Sequence, residues 1–444
     1  MAQTPPVISA RTRILVVGGG YVGMYTALRL QKTLKRELRR RSVEVIVVDP
    51  RSYMTYQPFL PEAAAGSLEP RHVVVPLRRV LRKCEVLNGR VTRVDHARRV
   101  ARIEPTRGEA YDLSYEHIVV SPGSIARTLP IPGLAEMGIG FKQVEEAITL
   151  RNQVLEKLDI ASSITDRHLQ RCVLTFVFVG GGYAGIEALA ELEDMARYAT
   201  RYYDAISPDD LRFVLVEATG RVLPEVGEDM GRYTVDQLRK RNIEVLLNTR
   251  LESCVGGRIV LSDGQRFDAE TLVWTAGVKA HPMLGSSDLP LDDKGRVSCR
   301  PDLRVEGLDG AWAAGDGAAV PDLTGPAGQM CSPSAQHAVR QAKQLGTNIA
   351  LVLHGRTTEA YVHKHVGSVA SLGLHKGVAQ VYGVKLRGFP AWFMHRTYHM
   401  SRVPTFNRKV RVILDWTLAL FFKREVVSLG SLQNPRGEFA EASR

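Results

Sequence analysis

The sequence predicts an α/β fold in which two doubly wound units share one chain, the second inserted in the first, with a smaller C-terminal unit. Three observations predict it. Residues 13–17 form an aliphatic run that empties into Gly18-Gly19-Gly20-Tyr21-Val22-Gly23, and residues 176–179 empty into Gly180-Gly181-Gly182-Tyr183-Ala184-Gly185. Each turn precedes a stretch that reads as helix, and the turns begin 162 residues apart. After Tyr361 the composition shifts toward Trp, Phe, His and Arg.

A buried parallel strand, a glycine turn and a helix N-terminus together form an anion site that accepts a dinucleotide pyrophosphate. One Gly-x-Gly-x-x-Gly is a weak signal, because plain tight turns also carry it. Two in this setting predict Rossmann-like domains holding two dinucleotides face to face, as in a flavoprotein fed by a nicotinamide. In the first unit Gly18 forms the turn, Gly20 admits phosphate and Gly23 lets the helix pack on the strand, with the helix running over 22–40. A second strand, 43–48, ends at Asp49, whose carboxylate suits adenosine ribose hydroxyls. Residues 118–123, ending Ser121-Pro122-Gly123, close the unit.

A helix over Val144–Ser162 crosses to the second unit, whose first strand is expected to start at Cys172. Gly180, Gly182 and Gly185 repeat the glycine logic. A strand over 211–216 ends at Glu217, which repels a 2′-phosphate and favours NADH over NADPH, while nearby Arg221 works the other way. Leu272-Val273-Trp274-Thr275-Ala276-Gly277 closes this unit. Residues 310–316 then return the chain to the first unit on Gly315-Asp316, with the carboxylate near a flavin ribityl chain. The following helix is read with Ser332 as N-cap, Pro333 at its first position and Gly355 beyond its end. Its positive end, aimed at a flavin pyrimidine ring, would stabilise the charge that reduction places there. Gln336 and Arg340 share one face; Ala335, Ala338, Val339 and Ala342 suit close packing.

At 444 residues the chain has room for about three domains of roughly 150 residues. The boundaries read as 12–125 with 290–355, then 126–289, then 356–444, with 1–11 a flexible tail. The five cysteines, at 84, 172, 254, 299 and 331, are never closer than 32 residues, so no knuckle or paired-thiol spacing exists and no metal site is expected. An odd count suits a reducing compartment. The net charge of +12 comes with no nucleic-acid motif, so anionic cofactors or an anionic membrane surface explain it. No stretch of about 20 apolar residues exists to span a bilayer.

Further motifs carry a resemblance. Tyr56-Gln57-Pro58-Phe59-Leu60-Pro61-Glu62-Ala63-Ala64-Ala65-Gly66, Ile186-Glu187 after the second turn, Val216-Glu217-Ala218, Leu223-Pro224, Thr275-Ala276-Gly277, Ala314-Gly315-Asp316 and Ala335-Gln336-His337-Ala338 stand in order. With 367–370 and 388–392, the chain resembles the type II, non-proton-pumping NADH:quinone oxidoreductases from residue 13 to about 432. The resemblance implies non-covalent FAD in the first unit, held by Gly18, Gly20, Tyr21, Val22, Gly23, Asp49, Pro58, Ser121, Gly123, Gly315, Asp316, Ala335 and Gln336. It implies NADH in the second, held by Gly180, Gly182, Tyr183, Ala184, Gly185, Glu187, Glu217, Ala276 and Gly277. It also implies a quinone site with Glu187, Gln336 and Arg340 as the catalytic set, menaquinone or ubiquinone as acceptor, and peripheral attachment at the cytoplasmic face of the membrane. A homodimer stays open.

Two departures bear on the acceptor. The family's second glutamine is replaced by Arg340, and Gln341 points roughly 100° away around the helix. Pro61-Glu62 stands where the family commonly has an aromatic and a neutral residue. A soluble diaphorase or carrier-protein reductase is the competing reading.

Val410, Ile413, Leu414, Thr417 and Phe421 recur at helical spacing, with Arg411 and Asp415 as an i,i+4 pair and basic residues at both ends. With Trp416, this predicts an amphipathic helix lying in an anionic interface. No Cys-x-x-x-x-Cys follows the first turn, which excludes a disulfide-reductase centre. Cys172 with Cys331 could mimic a sulfide:quinone reductase.

Overall fold

The computed structural model describes residues 11–364, 367–428 and 441–442. All but Arg11 of the expected tail, and the last residues of the family resemblance, lie outside the described residues. The chain divides into two compact units, one from residues 11–54, 75–125 and 278–364, the other from 55–74, 126–277 and 367–428. Of the C-terminal segment expected to stand alone from residue 356, residues 356–364 fall in the first unit and 367–428 in the second, where the loop carrying Pro58, which had been assigned to the FAD side, also falls.

The first unit is built on a seven-stranded sheet. In order it runs Ala311–Ala313, His117–Val120, Thr12–Val17, Val43–Asp49, Glu85–Asp95, Val100–Pro105, Tyr111–Ser114. The first five are parallel and the last two form an antiparallel extension. Aliphatic residues buried on both faces, such as Ile14, Leu15, Val16 and Val47, make the central strands continuous apolar runs, as a parallel sheet covered on both sides requires. The strand at Ala311–Ala313 pairs with His117–Val120, so the chain does return to this unit. The expected 22–40 helix is two, Tyr21–Thr33 and Lys35–Arg40. The break falls at Leu34, whose φ of −104° and ψ of 35° leave the helical region; the second helix packs on the core only through the partly buried Leu38. Thr26 Oγ1 donates to the Ala342 carbonyl at 3.2 Å, locking the first helix to Ala335–Leu353.

The second unit has a five-stranded, wholly parallel sheet, Gly138–Gly140, Thr271–Trp274, Thr175–Val179, Arg212–Val216, Ile243–Leu246. The helix over Val144–Ser162 is where periodicity places it, closed by a Gln143/Glu146 capping box. Cys172 does not start the strand: it lies in a helix, Arg167–Val173, that Asp166 caps, and the strand begins at Thr175. The C-terminal part adds a three-stranded antiparallel meander, Gly367–Ser371, Gly377–Val381 and Val384–Arg387, then helices Phe389–Arg402 and Phe406–Phe421. None of the described helices is long and apolar enough to cross a membrane.

Candidate functional site: two glycine cradles and a buried acid–base cluster

The two glycine turns have the same geometry, residue for residue. Gly18 and Gly180 take φ of +92° and +114°, a conformation that side chains resist. A Cβ on Gly23 would stand 1.7 Å from the Gly18 carbonyl oxygen, and one on Gly185 would stand 2.0 Å from that of Gly180. Neither position has room for a side chain. Gly20 and Gly182, in contrast, have nothing within 4 Å of where a Cβ would be. That open side is where a pyrophosphate fits.

The helices that begin there, Tyr21–Thr33 and Tyr183–Ala199, have glycine N-caps and no side-chain cap, which leaves their first amides for an anion. Three other helices are capped by Asp166, Ser334 and Thr405, while Glu228–Arg239 and Phe389–Arg402 also start at uncapped glycines, so the uncapped start marks a cradle only together with the strand and glycine turn before it. Tyr21, Val22, Tyr183 and Ala184 form the first turns of the two cradle helices.

Each cradle is braced by the strand-end carboxylate. Gly19 N–H donates to Asp49 at 2.7 Å and Gly181 N–H to Glu217 at 2.6 Å. Arg51 N–H also donates to Asp49, and Thr219 donates to Glu217 through its amide and its hydroxyl. Burial raises the Asp49 carboxyl above its ordinary range against these bonds. Each cradle strand also receives a hydroxyl from the closing strand: Ser121 Oγ reaches the Val17 carbonyl at 2.9 Å and Thr275 Oγ1 that of Val179 at 3.0 Å. Gly123 and Gly277, at φ +74° and +92°, both face open space; Ala276 stands just before the second. These features fit FAD and a nicotinamide dinucleotide. Arg221 is held by the Pro224 and Val226 carbonyls, so its guanidinium is committed to its own loop.

In the first unit Ser124 Oγ donates to Asp316 at 2.6 Å, and the Gly315 N–H donates to Gln341 at 2.8 Å. The following helix runs Ala335–Leu353 with Ser334, not Ser332, as N-cap; Pro333 therefore precedes the helix. Ser334 accepts from the His337 amide, which occupies the third position that an N-cap serves. Gln336 is in the first turn and Arg340 one turn on, folding back to its carbonyl at 3.1 Å. The displaced Gln341, 1% exposed, is the one that braces the Gly315-Asp316 turn. Gln336 and Arg340 lie in the first unit and Glu187 in the second.

Around Glu187 the second unit gathers a buried set of titratable groups that the sequence reading missed. The Ser371 N–H donates to Glu187 at 2.8 Å, and His395 Nε2 lies 3.0 Å from the same oxygen. Glu191, one turn further, accepts from Ser371 Oγ at 3.0 Å. Burial, then the nearby Glu62 charge, pushes the Glu191 carboxyl up to about 7. Burial alone would lower His395, but Glu187, Glu62 and Glu191 outweigh it and raise it. His399, in ring contact with His395, is held well below the ordinary range by burial and by that neighbour.

Glu62, 2% exposed, is paired with Arg396 at 3.0 Å and accepts from Trp416 Nε1 at 2.7 Å. Arg396 also lies over the Trp392 and Trp416 rings. The acid that departs from the family pattern is therefore held as an ion pair inside the fold. Glu187 and Glu191 are four apart on one helix, the signal that would have pointed to this cluster. His395 and His399 are likewise four apart on the Phe389–Arg402 helix, but nothing in the spacing ties that pair to Glu187.

Arg411 and Asp415, expected to pair, instead share His72: Arg411 Nη1 lies 3.1 Å from its Nε2 and Asp415 2.6 Å from its Nδ1. A tertiary partner captures both ends of the i,i+4 pair. Cys331 is buried, with its thiol pushed up to about 11 by burial, so it is no ready thiolate.

Residues 12–342 match the family model for pyridine nucleotide-disulphide oxidoreductases. The type II NADH:quinone oxidoreductase of Staphylococcus aureus is 30% identical over 393 residues, covering 87% of this chain and 94% of its own. The type II enzyme Ndh of Mycobacterium tuberculosis is 27% identical over 429 residues, covering 93% and 89%. A solved structure, NDH2 from Plasmodium falciparum in complex with NADH, superposes with a TM-score of 0.86 at 18% identity, covering 94% of this chain and 100% of that one. Two equivalent cradles on parallel sheets, matched along nearly the whole chain by these relatives, place the protein among the type II NADH:quinone oxidoreductases of the pyridine nucleotide-disulphide oxidoreductase family.

Proposed function

We propose that the protein oxidises NADH and passes the electrons through FAD to a membrane quinone, without pumping protons. The observation that carries this reading is the pair of equivalent cradles, each with an uncapped helix start and an open glycine side. FAD, when bound, supplies the chemistry by accepting a hydride equivalent and releasing two electrons.

The protein's own part is placement and charge. Gly20 and the Tyr21–Thr33 amides hold the FAD pyrophosphate, Asp49 the adenosine ribose, and Asp316 the ribityl chain. Gly182 and the Tyr183–Ala199 amides hold that of NADH. Glu217 takes the ribose hydroxyls and repels a 2′-phosphate, and Arg221, tied to its own loop, offers that phosphate little. The start of the Ala335–Leu353 helix stabilises negative charge on the reduced ring. Glu187 and Gln336, each within its own unit, are the residues this reading assigns to the acceptor. Behind Glu187, Glu191 with its carboxyl pushed up to about 7 and His395, raised by the surrounding carboxylates, hold protons in a buried setting, where reduction of the quinone needs them.

Membrane attachment belongs to the same reading. The Phe406–Phe421 helix buries only Val412 among its residues, while Phe406, Leu414, Leu418, Leu420 and Phe421 stay exposed, the last at 78%. Basic residues flank this face, which suits an anionic interface. Bleaching of the bound flavin by NADH in a stopped-flow instrument, then recovery on adding a menaquinone or ubiquinone analogue, tests the whole reading. Bleaching without quinone-driven recovery would overturn the acceptor and favour a carrier-protein reductase.

A further inference from the structure

Away from both cradles, the second unit brings three metal-type side chains to one spot. His168 and Cys172 stand four apart on the Arg167–Val173 helix, hence on one face, and Asp268 ends the strand Arg266–Asp268. His168 Nε2 lies 3.8 Å from Cys172 Sγ and 3.5 Å from an Asp268 oxygen, and all three ligand atoms fall within 4.8 Å of one another. A tetrahedral ion with bonds of about 2.3 Å to sulfur and 2.0–2.1 Å to nitrogen or oxygen needs edges of roughly 3.3–3.6 Å. The side chains are within a small rotation of that figure.

We propose that His168 Nε2, Cys172 Sγ and the Asp268 carboxylate bind one zinc-class divalent cation, with a water completing the tetrahedron. The mixture of thiolate, imidazole and carboxylate selects a borderline-soft ion over magnesium or calcium. As the metal–sulfur bond forms, the Cys172 thiol gives up its proton to solvent, so the two anionic ligands balance the ion's charge. Arg258 Nη1, 2.9 Å from each Asp268 oxygen, sits in the fork of that carboxylate and fixes its plane, which leaves the outer lone pair of the oxygen beside His168 for the ion.

The position says what the ion does. Cys172 comes three residues before the strand Thr175–Val179 and Asp268 three before Thr271–Trp274, and these strands are parallel neighbours with Phe176 opposite Thr271. The ion therefore ties together their N-terminal ends, whereas the Gly180 turn leaves the C-terminal end of the same sheet. It is a staple for the NADH-side sheet and takes no part in the redox chemistry. The cysteine spacing gave no hint of it because two of the ligands are not cysteine and one is distant in sequence.

The test uses flavin-loaded full-length protein, treated with a chelator and dialysed against Zn2+. One equivalent should bind, X-ray absorption at the zinc edge should show a single sulfur at about 2.3 Å, and thermal unfolding should move to higher temperature. Cys172→Ser should remove the sulfur shell, and Asp268→Asn should weaken binding by at least about tenfold. Both variants should keep their flavin and its bleaching by NADH. Zinc bound equally well by both variants, or a sulfur-free shell in the unaltered protein, would overturn the proposal.

Discussion

Single atoms decide what each cradle glycine is for. Gly23 and Gly185 are required by packing, because a Cβ would enter a backbone carbonyl of the same turn. Gly20 and Gly182 are not, because a methyl there meets only open space. Gly182→Ala is therefore expected to leave the thermal midpoint nearly unchanged while raising the KM for NADH by about tenfold or more, since the methyl occupies the side where the pyrophosphate must come close. Gly185→Ala should lower stability by about 1–3 kcal/mol. Equal loss of stability in both variants, read by thermal melts beside steady-state kinetics, would remove the distinction.

Glu191 makes a second residue-level prediction. A carboxyl raised from 4.5 to about 7 in the fold is favoured in its neutral form. It contributes stability that is full below pH 4.5 and lost as the pH rises toward and through 7, on the order of 3 kcal/mol at most. His395, also raised, adds loss of the same sign above 6.5. Below pH 6.5 His399, held low, works the other way, so it is between pH 6.5 and 8 that denaturant midpoints should fall as pH rises, and fall less steeply in Glu191→Gln. A midpoint that rises over this window contradicts the assignment. Arg340 lies back on its own helix through the Gln336 carbonyl, so Arg340→Gln should keep or raise turnover with a quinone analogue. A loss greater than about tenfold, over 1.4 kcal/mol of barrier, would give Arg340 a role of its own.

Among the elements, the C-terminal helices were the hardest to interpret from pattern. The periodicity of Val410, Ile413, Leu414 and Phe421 located the helix, and its exposed face is the one expected. What the pattern could not reveal is how the helix is held. Trp416 reaches Glu62 and Asp415 reaches His72, both more than 340 residues away in sequence. Deleting everything after Tyr361 would also remove the Ser371 amide and His395 from Glu187, so a truncation confounds membrane release with damage to the buried cluster. The cleaner experiment is Leu414→Glu with Leu418→Glu, both at 54% exposure. Flotation with anionic liposomes should fall by about tenfold or more, with flavin bleaching by NADH unchanged; undiminished flotation would point to another face.

At the scale of the molecule, the duplicated nucleotide architecture was legible because each strand, turn and carboxylate repeats within one short stretch. Gly18 to Asp49 and Gly180 to Glu217 carry the signal locally, and both sheets order their strands accordingly. The Glu187 cluster was legible only at Glu187, since Glu62, His395 and Trp416 converge from segments with no shared spacing. Strand ends and caps slipped where a polar residue could serve two positions, as with Ser332 and Ser334. The net charge of +12 gives one prediction for the whole protein: adsorption to anionic vesicles should weaken steeply as salt rises, and neutral vesicles should hold it less at every salt. Salt-independent adsorption would assign the binding to the apolar face alone.

The amide bridge from Gly181 to Glu217 has a kinetic meaning. A loop already holding its final shape does not have to fold around each arriving nucleotide, nor unfold to let the spent one go. Exchange of NAD+ for NADH is then limited by diffusion and by the few contacts broken, which suits an enzyme that must empty and refill the same cleft on every cycle.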